Sequence, residues 1–319
     1  MTHAHGSPDD WGDTATDDRL PQWDDRDRAA LVAMIRLTAT RTEWSKLAER
    51  IVDRRGAWPL WEDEHPRNLF GDDDASAVLK QAVSDIETWR DAPFRFHTFF
   101  DSDYPERLRS VRQMPPIVFT QGKLVPREDG VCVVGSRAAS EHALRFAHTV
   151  AQGLVAHDIS VIAGLARGVD TAAHQAALTA GGRTVAVLGN GLDHIYPREN
   201  RALHTEIGER GMLLTHFLPE YGPSRWSFPA RNVTMSAYGS ATVIVEANEK
   251  SGTRIQAREA VAHGRPVILS SRVVDSTTWG RALQNDPGVY VADSAEEAVA
   301  HAVGIIDRRS TITRLLGTQ

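Results

Sequence analysis

The sequence predicts an α/β protein in which a parallel sheet is covered by helices on both faces and is preceded by a small helical domain. Three observations predict this fold. From residue 130 onward, short apolar runs of strand length alternate with helical segments. These runs lack the polar alternation of a half-exposed strand, which indicates strands buried on both faces. Glycine-rich loops follow several of the runs, and a parallel sheet gathers such loops at one edge.

The front of the chain divides into two parts. Residues 1–27 are polar, acidic and nearly free of aliphatic side chains, which predicts a disordered tail. Residues 28–95 are assigned to the helical domain, because apolar side chains recur at helical spacing in 28–55 and again in 75–89. The main domain is predicted over residues 96–305, with its helical pattern ending near Val303, and a C-terminal tail over residues 306–319.

The main domain opens with a strand and a connector between residues 96 and 122. The strands of the parallel sheet are predicted at 131–134, 160–163, 184–188, 212–214, 242–246 and 266–269. The intervening helices are predicted to begin near Ser140, Asp170, Arg198, Asn232 and Gly252. Asp170 and Thr171 carry side-chain oxygens of the kind that cap a helix N-terminus.

Composition restricts the class of protein. The single cysteine, Cys132, excludes a disulfide framework and indicates a reducing compartment. No apolar run approaches the roughly 20 residues of a membrane helix, and the N-terminus has no apolar signal segment, so we expect a cytoplasmic protein without membrane contact. The net charge is −6. Residues 1–28 carry −5 of it, whereas residues 111–319 carry +2, which permits phosphate contacts in that half.

Four loops at the predicted carboxyl edge combine glycine, small hydroxyl and basic residues. They are Gly135-Ser136-Arg137, the loop from Gly164 to Gly168 with Ala166 and Arg167 inside it, Gly189-Asn190-Gly191, and Lys250-Ser251-Gly252-Thr253. A single loop of this kind is explained by a bare turn, but four together predict a phosphate-binding groove. The dinucleotide-binding and ATP-hydrolysing glycine motifs are not matched, and no metal-ligand spacing occurs. We therefore expect no cofactor and no metal.

Further candidates have two interpretations each. Phe228 could stack on a base while Arg231 and Asn232 hold a phosphate, or Phe228 could pack under the sheet and Arg231 could pair locally. Glu246 could accept a hydrogen bond from a ribose hydroxyl or act as a general base, or it could accept from neighbouring loop N–H groups. His174, near the start of the second predicted helix, could orient the loop or touch the ligand, or lie partly buried.

Several of these residues belong to motifs that resemble the DprA/Smf family of DNA-processing proteins. The motifs are D-x-D-Y-P-x-x-L (101–108), V-G-S-R (134–137), A-G-L-A-R-G-V-D-x-A-A-H (163–174), V-L-G-N-G-L-D-x-I-Y-P (187–197), F-P-A-R-N (228–232), V-E-A (245–247) and S-G-T (251–253). Their number, order and length make an accidental likeness improbable.

The resemblance implies an extended Rossmann-like fold, a homodimer, and binding of single-stranded DNA in the predicted groove without catalytic activity. It also implies protection of incoming strands and their transfer to the RecA recombinase during DNA uptake and natural transformation. Carried over by motif, the family's DNA contacts fall on Ser136, Arg137, Arg167, Phe228, Arg231, Asn232, Ser251 and Thr253, with the glycines shaping the loops.

A second hypothesis stays open because the sequence departs from the family, for example at Thr215-His216, where the family usually has Ser-Glu. It is a nucleotide-binding sensor or a nucleoside-monophosphate hydrolase of the related Rossmann variant, including a role in phage defence. Glu246, close in sequence to Ser251, motivates it. Those hydrolases carry P-G-G-x-G-T-x-x-E, however, and Gln256 stands here in place of the final glutamate.

Overall fold

The computed structural model describes residues 24–38, 41–66 and 74–315. Within these residues, nine strands form one sheet in the order β1-β2-β6-β5-β4-β3-β7-β8-β9. Strands β3 to β9 run parallel, whereas β2 pairs antiparallel with both β1 and β6. Helices bury a separate apolar core against each face of the sheet, so the predicted α/β fold is confirmed.

The strands are β1 (Arg95–Thr98), β2 (Ile117–Gly122), β3 (Gly130–Val134), β4 (Ser160–Ala163), β5 (Thr184–Val187), β6 (Met212–Thr215), β7 (Ala241–Ile244), β8 (Val267–Ser270) and β9 (Val289–Ala292). The helices are α1 (Asp25–Leu37), α2 (Arg41–Asp53), α3 (Ala57–Glu64), α4 (Asp74–Arg90), α5 (Glu106–Arg109), α6 (Glu141–Ala156), α7 (Val169–Thr179), α8 (Arg201–Arg210), α9 (Ser227–Tyr238), α10 (Thr253–Ala262), α11 (Ser271–Ser276), α12 (Thr278–Leu283) and α13 (Ala295–Leu315).

The parallel strands predicted from apolar runs are present as β3 to β8, and each is buried along its whole length. Continuous burial explains why these runs show no polar alternation. The edge strand β9 was not predicted. It has four residues, three of them only partly buried, and it follows the turn residues Asp286-Pro287-Gly288. The sequence of a strand this short and this exposed does not differ visibly from that of the surrounding loop.

Helix starts are predicted less well than strands. Ser140 caps α6 as expected, because its Oγ accepts a hydrogen bond from the Ala143 N–H at 3.2 Å. The predicted start of α9 at Asn232 is wrong, since the helix begins at Ser227 and includes Pro229 in its first turn, where proline is tolerated. The predicted cap at Asp170 is also wrong, since Gly168 occupies that position and Asp170 lies inside α7.

The N-terminal helices pack directly on the sheet. The Trp89 ring lies 5.1 Å from the Phe96 ring and 4.9 Å from the Phe119 ring, which joins α4 to β1 and β2 through aromatic contacts. Residues of α1 to α4 therefore share a core with one face of the sheet. Of the tail predicted over residues 1–27, residues 1–23 lie outside the described residues, and α1 begins at Asp25.

The C-terminal helix α13 runs to Leu315, so the prediction that helical sequence ends near Val303 is wrong. Ile305 and Ile306 are buried in the core on the α6 and α7 face, which explains why the helix continues. No helix in the described part of the chain is long and apolar enough to cross a membrane.

The strand order reverses at β3. From β3 the chain moves outward through β4, β5 and β6 on one side, and then returns to β7 and β8 on the other side of β3. The loops after β3 and β4 therefore leave the sheet beside the loop after β7. Such a reversal opens a crevice at the carboxyl ends of the strands, where ligands of open parallel sheets bind.

Candidate functional site

A cleft of about 750 Å³ lies at the carboxyl ends of β3 and β7, at the point where the strand order reverses. A smaller pocket of about 230 Å³ adjoins it on the β4 and β5 side. The two share Arg137, Ala138, Ala166, Tyr196, Phe228 and Arg231 in their linings. The volume of the cleft lies in the usual range of about 300–1,000 Å³ for small-molecule sites.

Most of the predicted site residues meet in these two cavities. The residues in their linings are Gly135, Ser136, Arg137, Gly164, Ala166, Arg167, Asn190, Phe228, Arg231, Asn232, Lys250, Ser251, Gly252 and Thr253. Gly168, His174, Gly191 and Glu246 do not line either cavity. The structure thus brings part of each of the four predicted loops to one place, as expected for the carboxyl edge of a parallel sheet.

The second loop is organised by Asp170, whose carboxylate is buried. Its Oδ2 accepts hydrogen bonds from the Gly164 N–H at 2.9 Å and the Ala166 N–H at 3.3 Å. Burial raises the pKa of this carboxyl group, and the nearby Arg231 charge lowers it. The Gly164 and Ala166 N–H groups are therefore not available to an anionic ligand, because the protein supplies its own anion there.

Arg231 is 4% exposed and joins three elements. Its Nη1 donates to the Gly164 carbonyl at 2.5 Å and to the Val187 carbonyl at 2.7 Å, while its Nε donates to Asn232 Oδ1 at 3.0 Å. A Cβ at Gly164 would lie 1.8 Å from Nη1, so only glycine leaves room for the guanidinium. The local-pairing interpretation describes Arg231 best, and its main role is to hold the walls of the cleft together.

Exposed groups that can contact a ligand cluster around Phe228. The guanidinium carbon of the exposed Arg137 lies 5.1 Å from the centre of the Phe228 ring, and the Tyr196 ring lies 5.3 Å from it. Phe228 is partly buried and packs against Gly189, where a Cβ would lie 2.8 Å from the ring. A cation above an aromatic face at this distance is favourable. Tyr196 was missed, although its place after the third glycine loop was the available signal.

Basic side chains border the cleft on two sides. Lys250 and Arg225 are exposed at the side formed by the fourth loop and the start of α9. Arg167 is exposed beside the smaller pocket and pairs with the carboxylate of Glu199. Both partners are exposed, so water screens this pair and Arg167 can exchange Glu199 for a phosphate. Arg225 was not predicted, because nothing in its sequence neighbourhood distinguishes it from an ordinary surface arginine.

The hydroxyl groups of the fourth loop serve first to start α10. Ser251 Oγ accepts from the Thr253 N–H at 3.2 Å and lies 2.7 Å from Thr253 Oγ1. The Asn232 side chain reaches across from α9 and donates to the Gly252 carbonyl at 3.4 Å. These bonds fix the rim of the cleft where Lys250 is carried.

Three predicted contact residues make contacts within the protein instead of lining a cavity. The Glu246 carboxylate accepts from Ser140, from the N–H at 3.1 Å and the Oγ at 2.5 Å, and so supports the start of α6. Gly191 is buried, and a Cβ there would lie 2.0 Å from the Leu218 carbonyl. His174 is fully buried, and its Nδ1 lies 2.6 Å from Thr184 Oγ1. The bonds of Glu246 to Ser140 agree with the interpretation in which this carboxylate accepts hydrogen bonds from a neighbouring loop.

Two further predicted contact residues, Gly168 and Asn190, lie at the margin of the site. Gly168 has a positive φ of 74° and lines a separate groove between α6 and α7, next to Arg167. Asn190 lines the smaller pocket but is 2% exposed, and its Nδ2 donates to the Gly191 and His194 carbonyls at 2.9 and 2.7 Å. Asn190 therefore shapes the third loop. Among the described residues, no group of three or more His, Cys, Asp and Glu side chains has the arrangement of a metal site.

The burial of His174 gives a pH-dependent prediction. Burial lowers its pKa from 6.5 to about 3, so the unfolded chain binds the proton first as the pH falls. The neutral, buried His174 makes its full contribution to the free energy of unfolding above pH 6.5, and this contribution is lost as the pH falls toward 3. We expect the stability gap between the wild type and His174→Asn, measured by urea unfolding, to shrink by about 2 kcal/mol from pH 7 to pH 5. A gap independent of pH would contradict a neutral, buried His174.

A family model described as DNA recombination-mediator protein A matches residues 95–299. The chain belongs to this family. Protein Smf of Synechocystis sp. is 33% identical over 228 residues, which cover 70% of this chain and 54% of that protein. DNA processing protein DprA of Streptococcus pneumoniae is 34% identical over 209 residues, which cover 65% of this chain and 74% of that protein.

The match to the Bacillus subtilis DNA processing protein DprA, 32% identical over 167 residues, covers 52% of this chain and 56% of that protein. The chain thus spans little more than half the length of the Synechocystis and Bacillus relatives. The X-ray structure of S. pneumoniae DNA processing protein A gives a TM-score of 0.66 at 27% identity, over 86% of this chain and 95% of that chain.

The Helicobacter pylori DNA processing protein A gives a TM-score of 0.58 at 22% identity, over 66% of this chain and 97% of that chain, and shows the same fold. Both likenesses confirm the Rossmann-like architecture that the motifs implied. The description of the matching family names a recombination mediator.

Proposed function

We propose that this chain is a DNA-processing protein that binds single-stranded DNA across the cleft at the carboxyl edge of its sheet. The observation that carries the proposal is the cluster of the exposed Arg137 and Tyr196 with the partly buried Phe228, which places two aromatic rings and a cation in the lining of the cleft. Bases stack on aromatic side chains whatever their identity, and arginine meets phosphate, so this combination suits single strands.

The distribution of the basic residues supports a strand over a small ligand. Arg167 lies beside the smaller pocket, Arg137 lies between the two cavities, and Lys250 and Arg225 lie on the far side. Cations spread along two adjoining cavities match a chain of phosphates better than one phosphate group. The relatives are named for DNA processing, and the H. pylori protein, which shares the fold, is described with a single-stranded DNA binding mode.

The finer parts of the proposal concern the strand's fate. We infer that the chain acts in the cytoplasm as a homodimer that protects incoming strands and transfers them to a RecA-type recombinase. Recombinase assembly on a single strand should be faster with the wild-type chain than without it, and Arg137→Gln should reduce the gain. Sedimentation equilibrium measures the dimer. A monomer at every concentration, or an unchanged assembly rate, would contradict these parts without touching DNA binding.

The dependence of binding on salt tests the phosphate contacts. Affinity for a labelled dT oligonucleotide should fall as salt rises, because binding releases the counterions of the strand. Replacing Arg137 by Gln should reduce the slope of log K against log salt by about 0.7, the contribution of one phosphate contact on a single strand.

Arg127→Gln is the matched control for this titration. Arg127 is also exposed, but it lies near the amino ends of the parallel strands, where its Nε contacts Glu106 at 3.0 Å. Its replacement should leave the slope unchanged. Equal slopes for Arg137→Gln and the wild type would show that Arg137 does not touch the backbone, whereas no binding at low salt would refute the proposed function itself.

A further inference from the structure

The side chain of Gln256 has an unusual position in the floor of the cleft. It belongs to the first turns of α10, lines the cleft together with Asn232 and Met235, and is 1% exposed. Neither its Nε2 nor its Oε1 has a hydrogen-bond partner among the described residues. Buried amide groups are nearly always paired, and leaving both atoms unpaired lowers stability, so this one needs an explanation.

The chemistry of an amide differs from that of the groups at the mouth of the cleft. Arg137, Arg225 and Lys250 are donors with a positive charge, and they suit phosphate oxygens, which only accept. The Gln256 amide offers one acceptor and two donors side by side. The edge of a nucleobase likewise carries a donor beside an acceptor, and glutamine pairs with the N6 and N7 atoms of adenine through two hydrogen bonds.

The layout of the cleft places these groups in the order that a nucleotide requires. The cations lie at the exposed rim, the Phe228 and Tyr196 rings stand at the side, and the amide lies at the floor. A base that leaves the stack of a single strand and enters the cleft would meet the amide while its phosphates stay at the rim. A change of side-chain rotamer would turn the unpaired Gln256 amide toward that base.

We propose that Gln256 is a specificity-determining residue that reads the edge of one unstacked base, with adenine preferred at one position of the bound strand. The proposal rests on the proposed function, since it requires a strand in the cleft. The aromatic and cationic groups bind a strand independently of its sequence. Gln256 adds a base preference at a single position of that strand.

The test uses dT oligonucleotides of constant length in which one adenine, cytosine, guanine or abasic site is moved through every position. At one position the wild type should prefer adenine over the other bases by about 5- to 150-fold, the size of the discrimination given by a bidentate amide–base pair. Gln256→Met keeps the length of the side chain and removes both polar atoms. It should lose the adenine preference, so that the variant binds the adenine-containing and the all-dT oligonucleotides with equal affinity.

Two further variants make the result decisive. Gln256→Leu repeats the removal of the amide with a different shape, and urea unfolding of both variants shows that they are folded. Gln152→Met is the matched control, because Gln152 is exposed on α6 and lies outside both cavities. It should keep the preference unchanged.

The outcomes separate the inference from the function it rests on. If the wild type binds every oligonucleotide alike, or if the folded Met and Leu variants keep the adenine preference, the inference is wrong and the proposed function stands. If the wild type binds no oligonucleotide at low salt, both fail. AMP serves as a second probe: saturable AMP binding that is lost in Gln256→Met, without any preference within strands, would overturn strand reading in favour of a free nucleotide.

Discussion

Replacing Arg231 by Met is expected to lower the free energy of unfolding by about 3–5 kcal/mol, the usual result of removing one partner from a buried charged network. The loss has two physical causes. The carbonyl groups of Gly164 and Val187 lose their donor inside the protein. The buried carboxyl group of Asp170 also loses the positive charge that favours its ionised form. Urea unfolding at constant pH measures the change through the midpoint and the slope.

Arg137→Met is the matched control for this measurement. Arg137 lies on the same cleft but is exposed, so its replacement should change the free energy of unfolding by no more than about 0.5 kcal/mol. An Arg231→Met protein as stable as the control would mean that the buried guanidinium does not hold the loops together. The assignment of Arg231 to structural support would then be wrong.

Replacing Phe228 by Ala is expected to weaken binding of single-stranded DNA by about 5- to 150-fold, since stacking of one base on an aromatic ring is worth about 1–3 kcal/mol. Removing the ring also removes the support of the Arg137 guanidinium and of the Tyr196 ring. Fluorescence anisotropy with a labelled dT oligonucleotide measures the effect. Phe228→Trp should restore most of the affinity, because it keeps an aromatic face.

The structure offers a second aromatic–arginine pair as a control. Tyr290 on β9 has the guanidinium carbon of Arg308 at 5.9 Å from its ring centre, and it lies outside both cavities. Tyr290→Ala should leave DNA binding unchanged. If Tyr290→Ala and Phe228→Ala weakened DNA binding equally, the effect would come from disturbing any surface arginine–aromatic pair. The stacking role of Phe228 would then be wrong.

The parallel sheet could be predicted from the sequence because its signal is local. Each of β3 to β8 is buried from end to end, so each appears as an unbroken apolar run, and glycine loops after such runs meet at one edge by topology alone. Most of the predicted site residues therefore meet around one cleft. The edge strand β9 has no comparable signal, because it is short and only partly buried.

The direction in which a polar side chain points could not be predicted in the same way. A carboxylate near a helix start suits a cap, a ligand contact or a bond to a preceding loop, and only the packed structure shows that Asp170 bonds to Gly164 and Ala166. Arg231 and Arg137 are both arginines in the matched motifs, yet one is buried and the other exposed. Burial of a charged group depends on contacts between distant segments, which spacing along the chain does not report.

The aromatic contacts of Trp89 show that the segment matched by the family and the unit that shares one apolar core have different N-terminal boundaries. The family match begins at residue 95, whereas the apolar core continues through α4 into α1. A shortened chain that began at Arg95 would keep the whole family segment and yet leave the Phe96 and Phe119 rings facing water. Such a surface invites self-association. A fragment that is to fold without exposing this apolar surface therefore has to include α1 to α4 and is longer than the segment that matches the family.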